Sequence, residues 1–201
     1  MRTLPVLIVL FTLLACKGGH PLGQSGFKNL TTDSLFNENL SNKAKALNIP
    51  PINLGVDSFE LRIWYGHAIV TPNQLMVLKY QDSAWQLTET DYWFSYHWQN
   101  GSPKGALLDS SFTRAVKVPP SISEIVDTLN SFRLDTFPSQ HDVPGFEDKI
   151  ADGRFYHIEV ATPRYYKALY YANPHRYDDK YNRRIEWLLA TLNKSGLPVT
   201  P

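Results

Sequence analysis

The chain has 201 residues, with 20 Lys and Arg against 19 Asp and Glu and a formal net charge of +1. This near balance, with no long basic run, provides no general attraction for phosphate backbones and argues against nucleic-acid binding. The single cysteine excludes an internal disulfide, so stability must come from an apolar core, for which 43% hydrophobic residues are sufficient.

The first sixteen residues are organised like a secretory signal peptide. Arg2 is their only charge, an almost unbroken apolar run extends from Leu4 to Leu14, and Ala15 precedes Cys16. The run is shorter than the roughly 20 apolar residues that a membrane-spanning helix needs. The segment Leu13-Leu14-Ala15-Cys16 resembles the lipobox of bacterial lipoproteins, in which the cysteine is acylated and becomes the new N-terminus after cleavage.

This resemblance implies three parts: a signal peptide over 1–15, a lipidated cysteine with a flexible tether over 16–30, and a domain over 31–201. The Gly-, Pro- and Ser-containing segment from Lys17 to Gly26 has linker composition. Lys17 stands where some bacteria require Asp for retention at the inner membrane, so the resemblance implies a palmitoylated protein of the cell envelope, anchored in the outer membrane. The alternative is an ordinary signal peptide, with Cys16 a small buried residue or a stray thiol.

The first half of the folded part predicts a helix followed by an antiparallel meander. A broken apolar stripe over 27–48 indicates a helix that ends before Pro50-Pro51. Apolar residues then alternate with polar ones over 58–65, which predicts a strand with one apolar face. Two further strand patterns, at 74–80 and 85–98, follow after short turns, and residues 100–105 have loop composition.

The second half predicts a strand at 112–118, a helix, a hairpin and a last helix. Ser121 and Glu124 match the capping box of a helix N-terminus. A hairpin with Thr162-Pro163 as its loop would pair Val160 with Tyr165, and Asn173-Pro174 indicates the start of the last helix. The predicted fold is a single α+β domain: a mainly antiparallel sheet, built from the meander and the C-terminal hairpin, with two or three helices packed on it.

His157 and Glu159 are the first candidate site. Residues two apart on a strand share a face, so these two side chains lie together on the face opposite Tyr156 and Ile158. A third partner from His141, His97 or His175 would complete a metal or acid–base site. The alternative, which the alternation itself favours, is the polar face of a half-exposed strand without any function.

A carboxylate-rich loop is the second candidate site. Four acids fall within eleven residues and could supply the oxygen ligands that calcium prefers: Asp142, Glu147, Asp148 and Asp152. Their spacing does not fit an EF-hand, and Lys149 offsets part of their charge. The alternative is a solvated loop.

The aromatic residues are the third candidate site. Residues 92–98 carry aromatic rings on both faces of one predicted strand, so the rings cannot all lie in a one-sided core. Outward-facing aromatic residues are favoured at protein interfaces and can stack on sugars. The residues expected to contact a partner are Trp93, Trp98, Tyr166 and Tyr170. The alternative is that a second layer covers them.

The motifs of the common catalytic classes do not occur in the sequence. The nearest match to a Gly-x-Ser-x-Gly elbow, Gly23-Gln-Ser-Gly26, has its second glycine one position too early, and there is no His-Glu-x-x-His and no phosphate loop. We therefore expect a non-catalytic binding or assembly module, without a cofactor, whose partner is an envelope protein or a glycan. The alternatives are a hydrolase or metal-dependent enzyme centred on His157 and Glu159, and a structural spacer.

The lipid anchor can be tested at Cys16. We expect Cys16→Ser to abolish labelling with palmitate and to release the protein from membranes, because the acylated thiol is lost. Lys17→Asp is the matched control: it should keep the label and change only the membrane in which the protein is found. A Cys16→Ser protein that stays membrane-bound with unchanged mass would contradict the lipobox assignment.

Overall fold

The computed structural model describes residues 26–31, 34–67, 72–99, 102–147 and 152–200, and within them the side chains outside 34–39, 96–99 and 102–106. In this part of the chain there are seven strands and three helices. The strands are β1 (Lys28–Asn29), β2 (Phe59–His67), β3 (Asn73–Gln81), β4 (Ala84–Gln99), β5 (Ser102–Val116), β6 (Arg154–Ala161) and β7 (Tyr165–Ala172). The helices are α1 (Ser34–Ala46), α2 (Ile122–Phe132) and α3 (Lys180–Lys194).

The strands form one sheet in the order β1-β7-β6-β2-β3-β4-β5. Every neighbouring pair is antiparallel except β1 and β7, which are parallel. The predicted α+β class with a mainly antiparallel sheet is therefore confirmed. β1 lies inside the segment predicted as tether, so the sheet begins at Lys28.

Helices cover both faces of the sheet. α2 and α3 pack on one face, over residues such as Leu61, Ile158 and Leu169. On the other face, Leu40 and Ala44 of α1 pack in a second apolar cluster, whose sheet residues are Trp64, Leu75, Tyr92, Ala161, Tyr166 and Ala168. The second cluster means that the alternation in β2 and β6 does not separate a core from solvent.

The half-exposed polar face predicted for β6 is therefore wrong. His157 is 6% and Glu159 is 4% exposed, and Arg62, which pairs with Glu159 on β2, is 1% exposed. The sequence pattern correctly separates the two faces of these strands. It does not show that a helix covers the polar one.

The loop of the β6–β7 hairpin differs from the predicted loop by one position. Tyr165 pairs with Thr162, whose N–H donates to the Tyr165 carbonyl at 2.9 Å, so Val160 lies opposite Lys167. The Thr162 hydroxyl accepts from the N–H groups of Arg164 and Tyr165, which makes Pro163-Arg164 the loop. The resulting shift of two residues in the pairing leaves every side chain on its predicted face.

The predicted start of α2 after Ser121 is confirmed, but its capping box does not form, and the predicted start of the last helix is wrong. The Ser121 hydroxyl donates to the Ser195 carbonyl at 2.9 Å and does not cap α2. Asn173 has a left-handed φ of 47°, and its amide oxygen accepts from the Arg154 N–H, so a short 3-10 turn follows it instead of α3. α3 begins at Lys180, directly after Asp179. The Asp179 carboxylate accepts from the backbone N–H groups of Tyr181 and Asn182, at 2.8 and 3.0 Å.

β5 is longer than predicted and includes residues expected to form a loop. It begins at Ser102, which pairs with Gln99 of β4, so 102–105 belong to the strand and not to a loop. The β4–β5 hairpin thereby becomes the longest pair in the sheet.

Beyond its short pairing with β1, the outer edge of β7 is covered by side chains that replace a neighbouring strand. Successive outward N–H groups of β7 donate to side-chain oxygens: Ala168 to Thr31 Oγ1, Tyr170 to Ser139 Oγ and Ala172 to Gln140 Oε1, at 2.7 to 2.8 Å. Gln140 is fully buried and also donates to the Ala172 carbonyl at 2.9 Å. This edge is therefore closed to further strands.

The N-cap at Asp179 provides a stability test. We expect Asp179→Ala to lower the free energy of unfolding by about 1 kcal/mol, because two backbone N–H groups lose their acceptor. Glu124→Ala, which removes the acid of the predicted capping box, should change it by less than about 0.5 kcal/mol, since that box does not form. Urea unfolding measures both. A larger loss for Glu124→Ala would contradict the assignment of the caps.

Candidate functional site

The Glu159 carboxylate is held inside the sheet by two aromatic donors. Trp64 of β2 donates its Nε1–H to Oε2 at 2.6 Å, and Tyr166 of β7 donates its hydroxyl to Oε1 at 2.7 Å. Burial raises the pKa of Glu159, and the charge of Arg62 and the two hydrogen bonds offset only part of that rise. Burial also raises the pKa of the Tyr166 hydroxyl far above its usual range.

Arg62 lies beside Glu159 but is held by other groups. Its Nε donates to Glu60 at 2.7 Å, and its NH2 group donates to the Pro50 carbonyl at 2.6 Å. The guanidinium thus connects β2 to the segment that follows α1. Arg62 and Glu159 thus both have hydrogen-bond partners inside the protein, which lowers the cost of burying them but does not remove it, since the pKa of Glu159 stays raised.

His157 lies between aromatic rings. Its ring centroid is 5.1 Å from that of Tyr170 and 5.6 Å from that of Phe155, and Lys43 of α1 lies 5.5 Å from the Phe155 centroid. Burial, and secondarily the charge of Lys43, lower the pKa of His157 well below its usual value. Burial lowers the pKa of Lys43 itself to about 8.

Among the described side chains, the proposed third partners His141 and His175 do not join His157 and Glu159 in a metal-binding group. His141 stacks on Tyr170 at 5.4 Å, with the rings 9° from parallel, so Tyr170 stands between the two histidines. His175 is exposed on a short turn before α3, and the His97 side chain lies outside the described part. The arrangement supplies neither a metal ligand set nor an acid–base pair that faces a cleft.

The carboxylate loop does not form a calcium site in the described residues. Asp142, Glu147 and Asp152 are exposed, and Asp148 lies outside the described ranges. Within those ranges, no group of three or more His, Cys, Asp or Glu side chains is placed so that it could hold a metal ion.

The four aromatic residues expected to contact a partner occupy different environments. Tyr166 is 1% exposed and donates its hydroxyl hydrogen bond to Glu159, so the expectation that it contacts a partner at the surface is wrong. Tyr170 is half-buried between two histidines, and Trp93 is half-buried on β4. The Trp98 side chain lies outside the described part.

Trp93 belongs to an apolar surface that the sequence did not reveal. Leu107 and Phe112 of β5 are 57% and 60% exposed. The pairing between β4 and β5 shifts register between Trp93 and Phe94. This shift leaves Asp109 of β5 without a paired residue on β4, so Asp109 forms a β-bulge. The bulge puts Leu107 on the same face as Phe112, five residues away, where simple alternation would separate them. We call Trp93, Leu107 and Phe112 the open face.

Acidic side chains surround the open face. Arg114 binds Glu89 at 2.9 Å and Asp91 at 3.2 Å, and Asp109 accepts from the Ser95 hydroxyl at 2.7 Å. Among the described side chains of β4 and β5 there are therefore three carboxylates and one guanidinium. β5 is also the last strand of the sheet, and none of the strands in the described ranges pairs with its outer edge.

Comparison with known proteins does not assign a family. No protein-family model matches the chain, and the search of curated proteins finds no match. In the described residues, no helix is both long and apolar enough to cross a membrane.

The buried Glu159 predicts a specific pH dependence. Because its pKa is raised in the folded protein, it contributes stability that is complete below the ordinary value of 4.5 and is lost as pH rises through the folded pKa. We expect Glu159→Gln, which does not titrate, to gain stability relative to the unmodified protein as pH rises above 4.5. Urea unfolding between acidic and neutral pH measures this difference.

Comparing Glu159→Gln with the unmodified protein separates the effect of Glu159 on stability from that of His157. The lowered pKa of His157 gives the opposite slope, since its contribution is lost as pH falls below 6.5, but this slope is common to both proteins and cancels. Glu124→Gln, at an exposed position, is the control and should show no such trend. A stability difference that is constant with pH would contradict the role given to Glu159.

Proposed function

We propose that this protein is an envelope lipoprotein, anchored through Cys16, that acts as a non-catalytic binding or assembly module. Its docking element is the β4–β5 hairpin, and its ligand is an extended segment of a partner protein. The observation that carries the proposal is the open edge of β5, fifteen residues long, beside the exposed side chains of Leu107 and Phe112.

An open edge is suited to strand addition. Its backbone N–H and C=O groups can continue the sheet with a strand from another chain, and neighbouring side chains select the sequence. Proteins usually block such edges. Here the opposite edge is blocked by Thr31, Ser139 and Gln140, whereas β5 carries its one proline, Pro103, at the end near the turn.

The side chains around β5 indicate the character of the partner segment. Trp93 and Phe112 are aromatic residues of the kind that anchor protein interfaces. The surrounding Glu89, Asp91 and Asp109 outnumber Arg114, which favours a segment with basic as well as apolar side chains.

The proposed anchor is compatible with this use of β5. The described chain starts beside β1, and six strand spacings of about 4.8 Å separate β1 from β5, or roughly 29 Å. The ten residues from Cys16 to Ser25 span at most about 35 Å. The tether would join the domain at the β1 side of the sheet, and the edge proposed for docking is on the opposite side.

The geometry favours this proposal over an enzyme centred on His157 and Glu159. The carboxylate already accepts from Trp64 and Tyr166, and the histidine is enclosed by rings. Neither residue lines either of two surface clefts, one formed by 143–147 with 176–179 and the other by 117–121 with 194–196. A general acid or base needs access to substrate.

Site-specific photocrosslinking in cells tests the docking surface. We expect a photoreactive residue at Ser110, which is exposed on β5 opposite Trp93, to capture a partner through an extended segment that carries basic and apolar side chains. Combining it with Phe112→Ser and Leu107→Ser should reduce capture by about tenfold or more, because two apolar contacts are removed.

Two exposed residues elsewhere provide matched controls. Leu54 and Trp187 are 77% and 54% exposed, so Leu54→Ser with Trp187→Ser removes similar side chains away from β5 and should leave capture unchanged. Unfolding measurements should show that all variants are folded, since each change is at the surface. Equal capture from Ser110 and from position 54, or capture insensitive to the β5 changes, would overturn the proposal.

A further inference from the structure

A second surface lies on the β7 side of the sheet, away from β5. It is a cleft of about 420 Å³ between two short segments, 143–147 and 176–179. The first segment follows the 3-10 turn Gln140–Asp142, whose residues bind the edge of β7, and the second leads into α3. The walls of the cleft are therefore attached to the sheet and to a packed helix.

Aromatic rings form one side of the cleft. Phe146 and Tyr177 contact each other with ring centroids 5.1 Å apart and planes tilted by 54°. Phe146 also meets His141 edge to face at 5.5 Å, and His141 stacks on Tyr170, which contacts His157. This series of rings runs from the cleft to the buried face of β6, and it fixes Phe146 and Tyr177 in position.

Three acids and one arginine line the cleft, and two of the acids already bind protein groups. Asp179 caps α3 and also binds the Asn182 side chain. Asp178 forms an ion pair with Arg183 at 3.4 Å, so both acids already bind residues of α3. Glu147 and Arg176, of opposite sign, are the other charged residues that line it. The cleft thus presents carboxylate acceptors and a guanidinium donor beside aromatic rings.

We infer that this cleft binds an uncharged sugar ring of a glycan. A pyranose has an apolar face of C–H groups, which packs on aromatic rings, and a rim of hydroxyls, which both donate and accept hydrogen bonds. The cleft offers both kinds of contact, and its volume lies in the usual range for a small-molecule site. The three carboxylates disfavour an anionic ligand. The attraction for a cation is reduced because Asp178 and Asp179 are bound within the protein and Arg176 lies beside them.

The inference does not depend on the proposed role of β5, because the two surfaces share no residue. If both are correct, the module holds a protein segment at one edge of its sheet and a glycan near the other.

Titration with soluble tetrasaccharides tests the inference on the folded protein. The probes are β-1,4-linked glucose, β-1,4-linked N-acetylglucosamine and α-1,4-linked glucose, with binding followed by NMR shifts. We expect at least one to bind with a Kd of about 1 mM, a value typical of an open and shallow site. Tyr177→Ala and, separately, Arg176→Ala should each weaken it by about tenfold.

The two variants and a reciprocal control decide the outcome. Arg176 is exposed, so its replacement should keep the fold even if the loss of Tyr177 disturbs it. Phe112→Ser should leave sugar binding unchanged, and Arg176→Ala should leave photocrosslinking from Ser110 unchanged. The inference is overturned if none of the probes binds at about 10 mM, if binding is insensitive to both cleft variants, or if tetramethylammonium binds more tightly than every sugar.

Discussion

The hydrogen bonds to the Glu159 carboxylate are the interaction on which the arrangement of this fold depends. One buried acid on β6 accepts from Trp64 on β2 and from Tyr166 on β7, so a single group cross-links the three strands at the centre of the β6 region. A carboxylate can be buried in this way only if its oxygens are satisfied and water is excluded. α1 provides that exclusion, because it covers the face on which Trp64 and Tyr166 lie.

The burial of Glu159 and its neighbours also restricts which surfaces of the domain can bind a ligand. With α1 on one face and α2 and α3 on the other, most side chains in the middle of the central strands are buried. The polar residues that resemble a catalytic set form internal hydrogen bonds there. Two accessible features lie at the sides of the sheet: the open face beside β5, and the cleft beyond β7. Both are made by residues on edges and turns, where binding residues are commonly found.

Local patterns in the sequence predict β2, β3, β4, β6, β7 and the C-terminal part of β5, together with the two faces of β2 and β6 and the α+β class, because period-two alternation depends only on neighbouring residues. They do not predict β1 or the first part of β5. The patterns fail where a residue has a distant partner. Ser121 bonds to Ser195 and not to its own helix, and Glu159 is buried by a helix more than a hundred residues earlier in the chain. The candidate site at His157 and Glu159 was identified as a pair for the right geometric reason, but its burial depends on tertiary contacts that alternation does not encode.

The bulge at Asp109 shows how one irregular residue creates a surface that no periodic pattern predicts. In a regular strand, Leu107 and Phe112 would point to opposite faces, and the face beside Trp93 would carry only one of them. Asp109 is skipped in the pairing with β4, and its carboxylate is held by the Ser95 hydroxyl across the hairpin, which brings both apolar side chains to one face. Since a bulge also increases local twist, and bulges commonly re-aim side chains at sheet edges, the edge and its side chains are presented together. The bulge gathers apolar side chains beside an uncovered edge, while its own twist restricts the part of the edge that a further strand can follow. β7 differs from β5 because its edge is closed by three side chains.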